Sequence, residues 1–441
     1  MTRKLLLTYF ITVLLTSVYA QNVYDEIRSN PLVSASNYMA YPGPAQQMLT
    51  PAPKGMTPFY VSHYGRHGSR YHNKPSTYND PYNTLARADS LGKLTATGRD
   101  ALHRLDRIRH DAENRWGDLT PLGGEQHRAI AQRMYDRFPE VFADHADVNA
   151  RSTAMGRCIL SMEYALAQLL RNNPRLNVHH NATHRDQEYL NFQDKEMAHL
   201  KFNKPAMALL DAYAQRRSDY SHLMQTLFSD TAYVRHHVNA AELSTQLLLV
   251  AAIMQNTELG REVTLYDLFT TDELYRVWQK GNARWYIGWG AAPVNGGVQP
   301  YSQSNLLRQI ISDADRCIDS EKPHVTLRFG HETVLLPLLC LLDVNGYGQT
   351  ISDLEQLEQH GWVNYRVFPM AANLQLVFYR RHPHDRDVRF KVLLNENEAT
   401  LPLPTDTPPY YKWSDFRAYY LKKLESYEKN FQKKPESYEK K

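Results

Sequence analysis

Five consecutive residues, Arg66-His67-Gly68-Ser69-Arg70, set one imidazole between two guanidinium groups. The planar forks of two arginines match the oxygens of a phosphate. The histidine between them can attack phosphorus through a ring nitrogen. The motif follows the apolar run Phe59-Tyr60-Val61, which reads as a strand running into a loop. The end of a strand is where an α/β fold places its chemistry. His63, His72 and Lys74 make the neighbourhood basic. A basic loop by itself is also what a solvated surface looks like, so the rest of the chain has to supply the context.

Two later segments supply it. Asp147-Val148-Asn149-Ala150 reads as a strand that ends in Arg151-Ser152-Thr153 and leads into an apolar helical run. Arg157 falls in the first turn of that helix, where free N–H groups and the helix dipole also favour an anion. Val325-Thr326-Leu327-Arg328-Phe329-Gly330-His331-Glu332-Thr333 repeats the pattern of strand, glycine and polar pair. The apolar run Val334 to Leu342 is expected to follow as a buried helix, with Pro337 in its first turn. His331 and Glu332 then stand at a second strand end.

The elements that must position these groups follow an α/β order. Residues 21–58, with Pro42, Pro44, Pro51, Pro53 and Pro58, read as an extended leader over the surface. Residues 59–184 alternate strands and helices. Between 185 and 320 strand signals thin out, and helical patterns such as Ala206 to Tyr213 and Ala240 to Met254 dominate, which predicts a helical cap. Strands return at 324–329, 373–380 and 387–394. This predicts a split α/β domain, 59–184 with 321–412, around a cap at 185–320. The cleft between them is the expected substrate site. Trp285 and Trp289 read as part of a cap loop beside it. The charged tail, 413–441, reads as a frayed surface helix.

The chain has 441 residues, 42% of them hydrophobic and 22% charged, enough for a large core and too mixed in charge for disorder. A net charge of +4 mildly favours acidic partners. No basic stripe suggests nucleic acid. Thr2-Arg3-Lys4, the apolar run Leu5 to Leu15 and Val18-Tyr19-Ala20 read as a signal peptide cleaved near Ala20. That run is too short to span a membrane. We therefore expect an exported protein, periplasmic or secreted, with no stable membrane insertion. Cys158, Cys317 and Cys340 allow one disulfide, and buried thiols fit as well. His179, His180, His184, His236 and His237 lack a carboxylate or cysteine pattern to complete a metal site and read as surface residues.

Taken together, these segments resemble the histidine acid phosphatases, branch 2 of the histidine phosphatase superfamily. Arg66 to His72 resembles their Arg-His-Gly-x-Arg-x-Pro signature, with His72 in the proline position. Leu119-Thr120-Pro121-Leu122-Gly123-Gly124-Glu125-Gln126, Arg151 to Arg157 and Arg389 to Glu396 are similar to three further family segments. Tyr71 and the stretch from Gly330 through the apolar helix resemble most closely the bacterial multiple inositol-polyphosphate phosphatases, the phytases of that subgroup. That subgroup has His-Ala-Glu, whereas Glu332 here follows His331 directly, in the aspartate slot of the His-Asp enzymes. The resemblance implies a phosphoglycerate-mutase-like α/β fold and hydrolysis of phosphomonoesters, inositol polyphosphates first, through a phosphohistidine. It implies His67 as nucleophile, Glu332 as proton donor, and Arg66, Arg70, Arg157 and His331 as phosphate-binding groups. Tyr71, His72 and Lys74 are candidate substrate contacts. No metal or cofactor is called for. A broad acid phosphatase or sugar-phosphatase is the alternative, and a non-catalytic polyphosphate binder the more distant one.

Overall fold

The computed structural model describes residues 22–41, 47–191 and 194–432. The segment 1–20, read above as a signal peptide, and the second copy of the tail pentapeptide, residues 436–440, lie outside them. Among the described residues eight strands form one sheet. They are β1 (Thr57–Arg66), β2 (Asp147–Ser152), β3 (Asn177–Asn181), β4 (His324–Gly330), β5 (Asn373–Arg380), β6 (Arg389–Leu394), β7 (Asn397–Ala399) and β8 (Tyr411–Lys412). The order is β3-β2-β4-β1-β5-β6-β7, with β8 beside β6. β3, β2, β4 and β1 run parallel, and β5 returns antiparallel to β1. β1 is buried along nearly its whole length, as expected of a central strand whose Phe-Tyr-Val-rich sequence does not alternate. The register sets Arg66 opposite Gly330 and Ser152 opposite Phe329, so three strands end at one level. Arg66 closes β1, His67, Arg70 and His331 follow the strand ends, and Arg157 and Glu332 open the helices that come next.

Helices cover the sheet. We label α1 (Val23–Ser29), α2 (Pro121–Arg137), α3 (Gly156–Asn172), α4 (Ala240–Met254), α5 (Thr271–Trp289), α6 (Ser304–Ile318), α7 (Glu332–Leu342) and α8 (Trp413–Gln432). α2 and α3 pack on one face; α6, α7 and α8 pack on the other. α7 is apolar all round and buried, as such a composition requires. It starts at Glu332, two residues earlier than the apolar run suggested, so Pro337 lies in its second turn.

Three expectations need correction. The leader is not simply an extended surface strand. Asn22 caps α1, and residues Pro31–Tyr38 form a 3-10 segment. Val23, Ile27 and Val33 are buried in the cap core, so the segment gains apolar burial that an extended course would forgo. The tail helix is not frayed along its described length. Trp413, Phe416, Tyr420 and Leu424 recur at helical spacing and are buried. Tyr420 Oη donates to the Leu342 carbonyl at 2.6 Å and Lys423 Nζ to that of Leu341 at 2.7 Å, which satisfies the end of α7. The boundary of the cap also differs from the one drawn by sequence order. Helices Ser76–Ser90 and Ala96–Asp111 share the core of α4 and α5, whereas α6 packs on the sheet.

His63, His72 and His127 are buried, and burial lowers each pKa to about 3. In the unfolded chain they titrate near 6.5. Between those values the unfolded state binds more protons, so stability is lost as pH falls below about 6.5. Each such histidine contributes up to about 1.4 kcal/mol per pH unit. The urea midpoint is therefore expected to be lower at pH 5 than at pH 7; an equal or higher midpoint would contradict the neutral burial of this trio.

Candidate active site

The loop after β1 is held by backbone contacts on all sides. His67 N donates to the Gly330 carbonyl at 2.9 Å, and its own carbonyl accepts from Ala371 N at 3.0 Å. Gly68 N donates to Ser161 Oγ, and Ser69 N to Gln126 Oε1. Gly68 and Gly123 are required here by a close approach: a Cβ on Gly68 would stand 2.3 Å from the Gly123 carbonyl oxygen. Gly68 of the first motif and Gly123 of the Leu-Thr-Pro-Leu-Gly-Gly segment thus explain each other, while Gly124 makes room for the Tyr164 ring.

His67 is 1% exposed. Its Nδ1 donates to the Gly68 carbonyl at 2.9 Å, which leaves the lone pair on Nε2. Nε2 lies 3.7 Å from Glu332 Oε2. Burial, with the charges of Arg66, Arg70 and Arg157, holds the His67 pKa well below its usual value. This favours the neutral imidazole with its lone pair free.

Arg66 is fully buried; its Nη1 donates to the Asn37 carbonyl at 2.5 Å and the Phe368 carbonyl at 2.9 Å. Its Nη2 lies 3.1 Å from Glu332 Oε1. Arg70 Nη1 donates to the Tyr71 carbonyl, and its guanidinium carbon lies 5.6 Å from the Tyr38 ring centre. Arg157 sits in the first turn of α3, half buried, with a pKa lowered by burial. Neither Arg70 nor Arg157 has a carboxylate within ion-pair distance among the described residues. Two buried or half-buried cations without counter-ions form a place for an anion.

His331 stands at the N-terminus of α7, its ring centre 5.7 Å from that of His67. Its Nε2 is 3.2 Å from Thr153 Oγ1, and Cys158 Sγ lies 3.8 Å from the same nitrogen. Burial lowers its pKa to about 4. Burial opposes ionisation of Glu332, yet Arg66, Arg70 and His331 outweigh it and hold the carboxyl near pKa 2. All three cysteines are free and buried, and burial pushes the Cys158 thiol up to about 11, so it packs rather than reacts.

The motif residues thus converge: His67, Glu332, Arg66, Arg70, Arg157 and His331 share one site. The candidate contacts just after the motif do not. Tyr71 Oη donates to Asp111 Oδ2 at 3.0 Å inside the cap. His72 Nε2 contacts the Leu249 carbonyl at 2.8 Å, and its backbone N–H donates to Tyr78 Oη. Lys74 is exposed and does not line the cavity, whereas Asn73 does. The turn after Arg70 carries these side chains into the cap. Trp285 and Trp289 do line the cavity, but from α5 and not from a loop.

The cavity has a volume of about 690 Å³. Arg70, Asn73 and Glu332 line it together with Lys280 and Arg284 of α5. Lys280 Nζ donates to Tyr220 Oη at 2.9 Å, and Arg284 lies 4.3 Å over the Phe202 ring. Glu332 is the only carboxylate among the lining residues. Lys280 and Arg284 escaped the sequence reading because they sit one turn apart in an ordinary amphipathic helix. A period-based reading assigns them to a solvated face.

His67, His331 and Glu332 bring one donor atom each within 4.8 Å of one another, a spacing that a metal ion could use. Three guanidinium groups bear on the same space and oppose a divalent cation there. Activity is expected to persist unchanged in EDTA; loss that a divalent ion restores would show metal chemistry. His179, His180, His184, His236 and His237 are exposed.

The sequence profile of the histidine phosphatase superfamily (branch 2) matches residues 65–395. Multiple inositol polyphosphate phosphatase 1 of Gallus gallus is 24% identical over 328 residues, covering 68% of each chain. The multiple inositol polyphosphate phosphatase of Bifidobacterium longum, solved with phosphate, superposes with a TM-score of 0.73 at 19% identity, covering 89% of this chain and 98% of that one. The phytase from D. castellii gives 0.65 at 14% identity, over 89% and 84%. A shared fold and a profile spanning most of the chain lead to one conclusion: the chain belongs to branch 2 of the histidine phosphatase superfamily.

Proposed function

We propose that this protein hydrolyses inositol polyphosphates, phytate among them, through a phosphohistidine on His67. The observation that carries the substrate class is that Arg70 of the phosphate site lines one cavity together with two further cations, Lys280 and Arg284. Arg66, Arg70 and Arg157 bear on His67, while Lys280 and Arg284 line the cavity without a carboxylate partner among the described residues. A monophosphate engages only the first group. A substrate bearing several phosphates engages both. The named activities of the chicken and Bifidobacterium relatives agree with this reading.

In the first step His67 Nε2 attacks phosphorus and the P–O bond to the leaving alkoxide breaks. Arg66, Arg70, Arg157 and His331 hold the phosphoryl oxygens and stabilise charge at the transferring group. Glu332 is ionised in the free enzyme. A bound phosphate dianion neutralises the arginines and repels the carboxylate, which raises its pKa and lets it carry the proton the alkoxide needs. In the second step the Glu332 carboxylate takes a proton from water, the water oxygen bonds to phosphorus, the P–N bond breaks, and His67 returns neutral.

A single experiment tests the substrate class. Lys280→Ala and Arg284→Ala are each expected to raise KM for phytate by about tenfold, the scale for losing one charge-assisted contact. The effect on an activated aryl monophosphate should be far smaller. Equal effects on both substrates would argue against a second phosphate position. Leu248, Leu249, Ala252 and Val277 also line the cavity, which favours a second reading: a broader phosphatase that also accepts apolar leaving groups. In that case KM for aryl phosphates falls below that for phytate. We further propose, from the N-terminal segment alone, that the protein is exported.

A further inference from the structure

We propose that Asn37 is a positioning residue for Glu332, and that Ser36 braces it against cap helix α5. The inference rests on reading Glu332 as the proton donor. Asn37 is buried and lines the cavity, although it belongs to the leader segment and lies 295 residues from Glu332 in sequence. Its Nδ2 donates to Glu332 Oε1 at 3.3 Å. Arg66 Nη2 is on the same oxygen at 3.1 Å. With Oε1 held by these two donors, Oε2 is left toward His67 Nε2, at 3.7 Å. That is the oxygen facing the reacting centre. The backbone carbonyl of Asn37 accepts from Arg66 Nη1, so one residue fixes both the acid and an arginine of the phosphate site.

Ser36 explains how the leader holds this course. It has φ 59° and ψ −128°, in the positive-φ range that an L side chain rarely adopts. Its Oγ accepts from Asn364 Nδ2 at 2.6 Å. Asn364 Oδ1 accepts from Trp278 Nε1 at 3.0 Å, and its backbone N–H donates to Asn282 Oδ1 at 3.0 Å. Trp278 and Asn282 belong to α5, the helix that carries Lys280 and Arg284. Asn364, Trp278 and Asn282 are all buried, so the chain of bonds is shielded from water and stiff. The helix that faces the outer phosphates is therefore braced against the residue that aims the proton donor.

The test compares Asn37→Ala, Asn37→Gln and Asn37→Asp with wild type on two substrates. One has a poor leaving group, glycerol 2-phosphate; the other has a good one, 4-nitrophenyl phosphate. All three variants keep the backbone carbonyl that Arg66 uses. Asn37→Ala is expected to lower kcat on glycerol 2-phosphate by about tenfold or more, with KM nearly constant, and to affect 4-nitrophenyl phosphate far less. Asn37→Gln keeps an amide and recovers part of the loss. Asn37→Asp faces carboxylate with carboxylate and is the slowest. A merely structural role predicts equal losses on both substrates and no ranking of Gln over Ala; that result, or no loss on glycerol 2-phosphate, overturns the proposal. Where Ala proves unstable in thermal unfolding, the ranking of Gln against Asp decides. Glu332→Gln run in parallel separates the two ideas. If it shows no leaving-group dependence, the acid assignment itself fails and takes the role of Asn37 with it. If it does and Asn37→Ala does not, only the role of Asn37 fails.

Discussion

His67→Ala abolishes turnover, by at least about 10⁴-fold, while phosphate still binds: this is the largest effect expected of any single change in the protein. Removing a covalent nucleophile costs on this scale because no other group can enter the same step. The geometry supports His67 in that role and leaves no second candidate among its neighbours. Its Nε2 carries the free lone pair, because Nδ1 is committed to the Gly68 carbonyl. The His331 ring nitrogen Nε2 is engaged with Thr153 instead, and the Cys158 thiol is held protonated by burial. Burial and the charges of Arg66, Arg70 and Arg157 hold the His67 pKa well below its usual value, which favours the unprotonated nucleophile. Acid quench of the enzyme with ³²P-labelled substrate should leave acid-labile label on His67. Label on another residue, or turnover in the alanine variant near the wild-type rate, would remove His67 from the mechanism. Phosphate binding by the variant, measured by calorimetry, should persist because Arg66, Arg70 and Arg157 remain.

Glu332→Gln should slow hydrolysis of phytate by about 10²-fold or more, the usual scale for losing a general acid. Esters with good leaving groups should lose far less, since an aryl oxide departs with little help from a proton. The pH dependence has a definite sign. In the free enzyme the carboxyl pKa is about 2, so kcat/KM should show no ionisation of Glu332 above roughly pH 3. In the complex the substrate dianion raises that pKa, so the limb of kcat assigned to Glu332 should appear at higher pH than in kcat/KM. It should vanish in the glutamine variant. The same limb in both profiles, or its persistence in Glu332→Gln, would mean that the proton comes from elsewhere. Glu332 directly follows His331, so its carboxyl leaves from the first residue of α7. From there Oε2 reaches to within 3.7 Å of the His67 nitrogen.

The chemistry-bearing residues were legible in the sequence because their neighbours state their local context. An apolar run before Arg66, another before Arg151 and a third before His331 each mark a strand end, and a strand end exposes its loop. Strand β1 and helix α4 were also readable, since their patterns are local. Spacing alone could not say that the three loops meet. Sheet order and register decided that, by setting β4 between β2 and β1 with Gly330 level with Arg66. Nor could the sequence tell that Tyr71 and His72 turn away into the cap while Asn73 faces the cavity. One residue's difference along an irregular loop has no period to read.

The leader and the tail show the same limit. Both looked polar and loosely structured, and both owe their order to partners far along the chain. Asn37 meets Glu332, and Tyr420 meets the carbonyl of Leu342. Lys280 and Arg284 gain meaning only because α5 lines the cavity that Arg70 and Glu332 also line. Sequence determined which groups could handle a phosphate and which strands would present them. Tertiary structure decided which of them share a cavity, which oxygen of Glu332 faces the nucleophile, and which cations remain without a counter-charge. Those are facts of distance, and a desolvated charge is perturbed by whatever lies within a few ångströms, however remote in sequence.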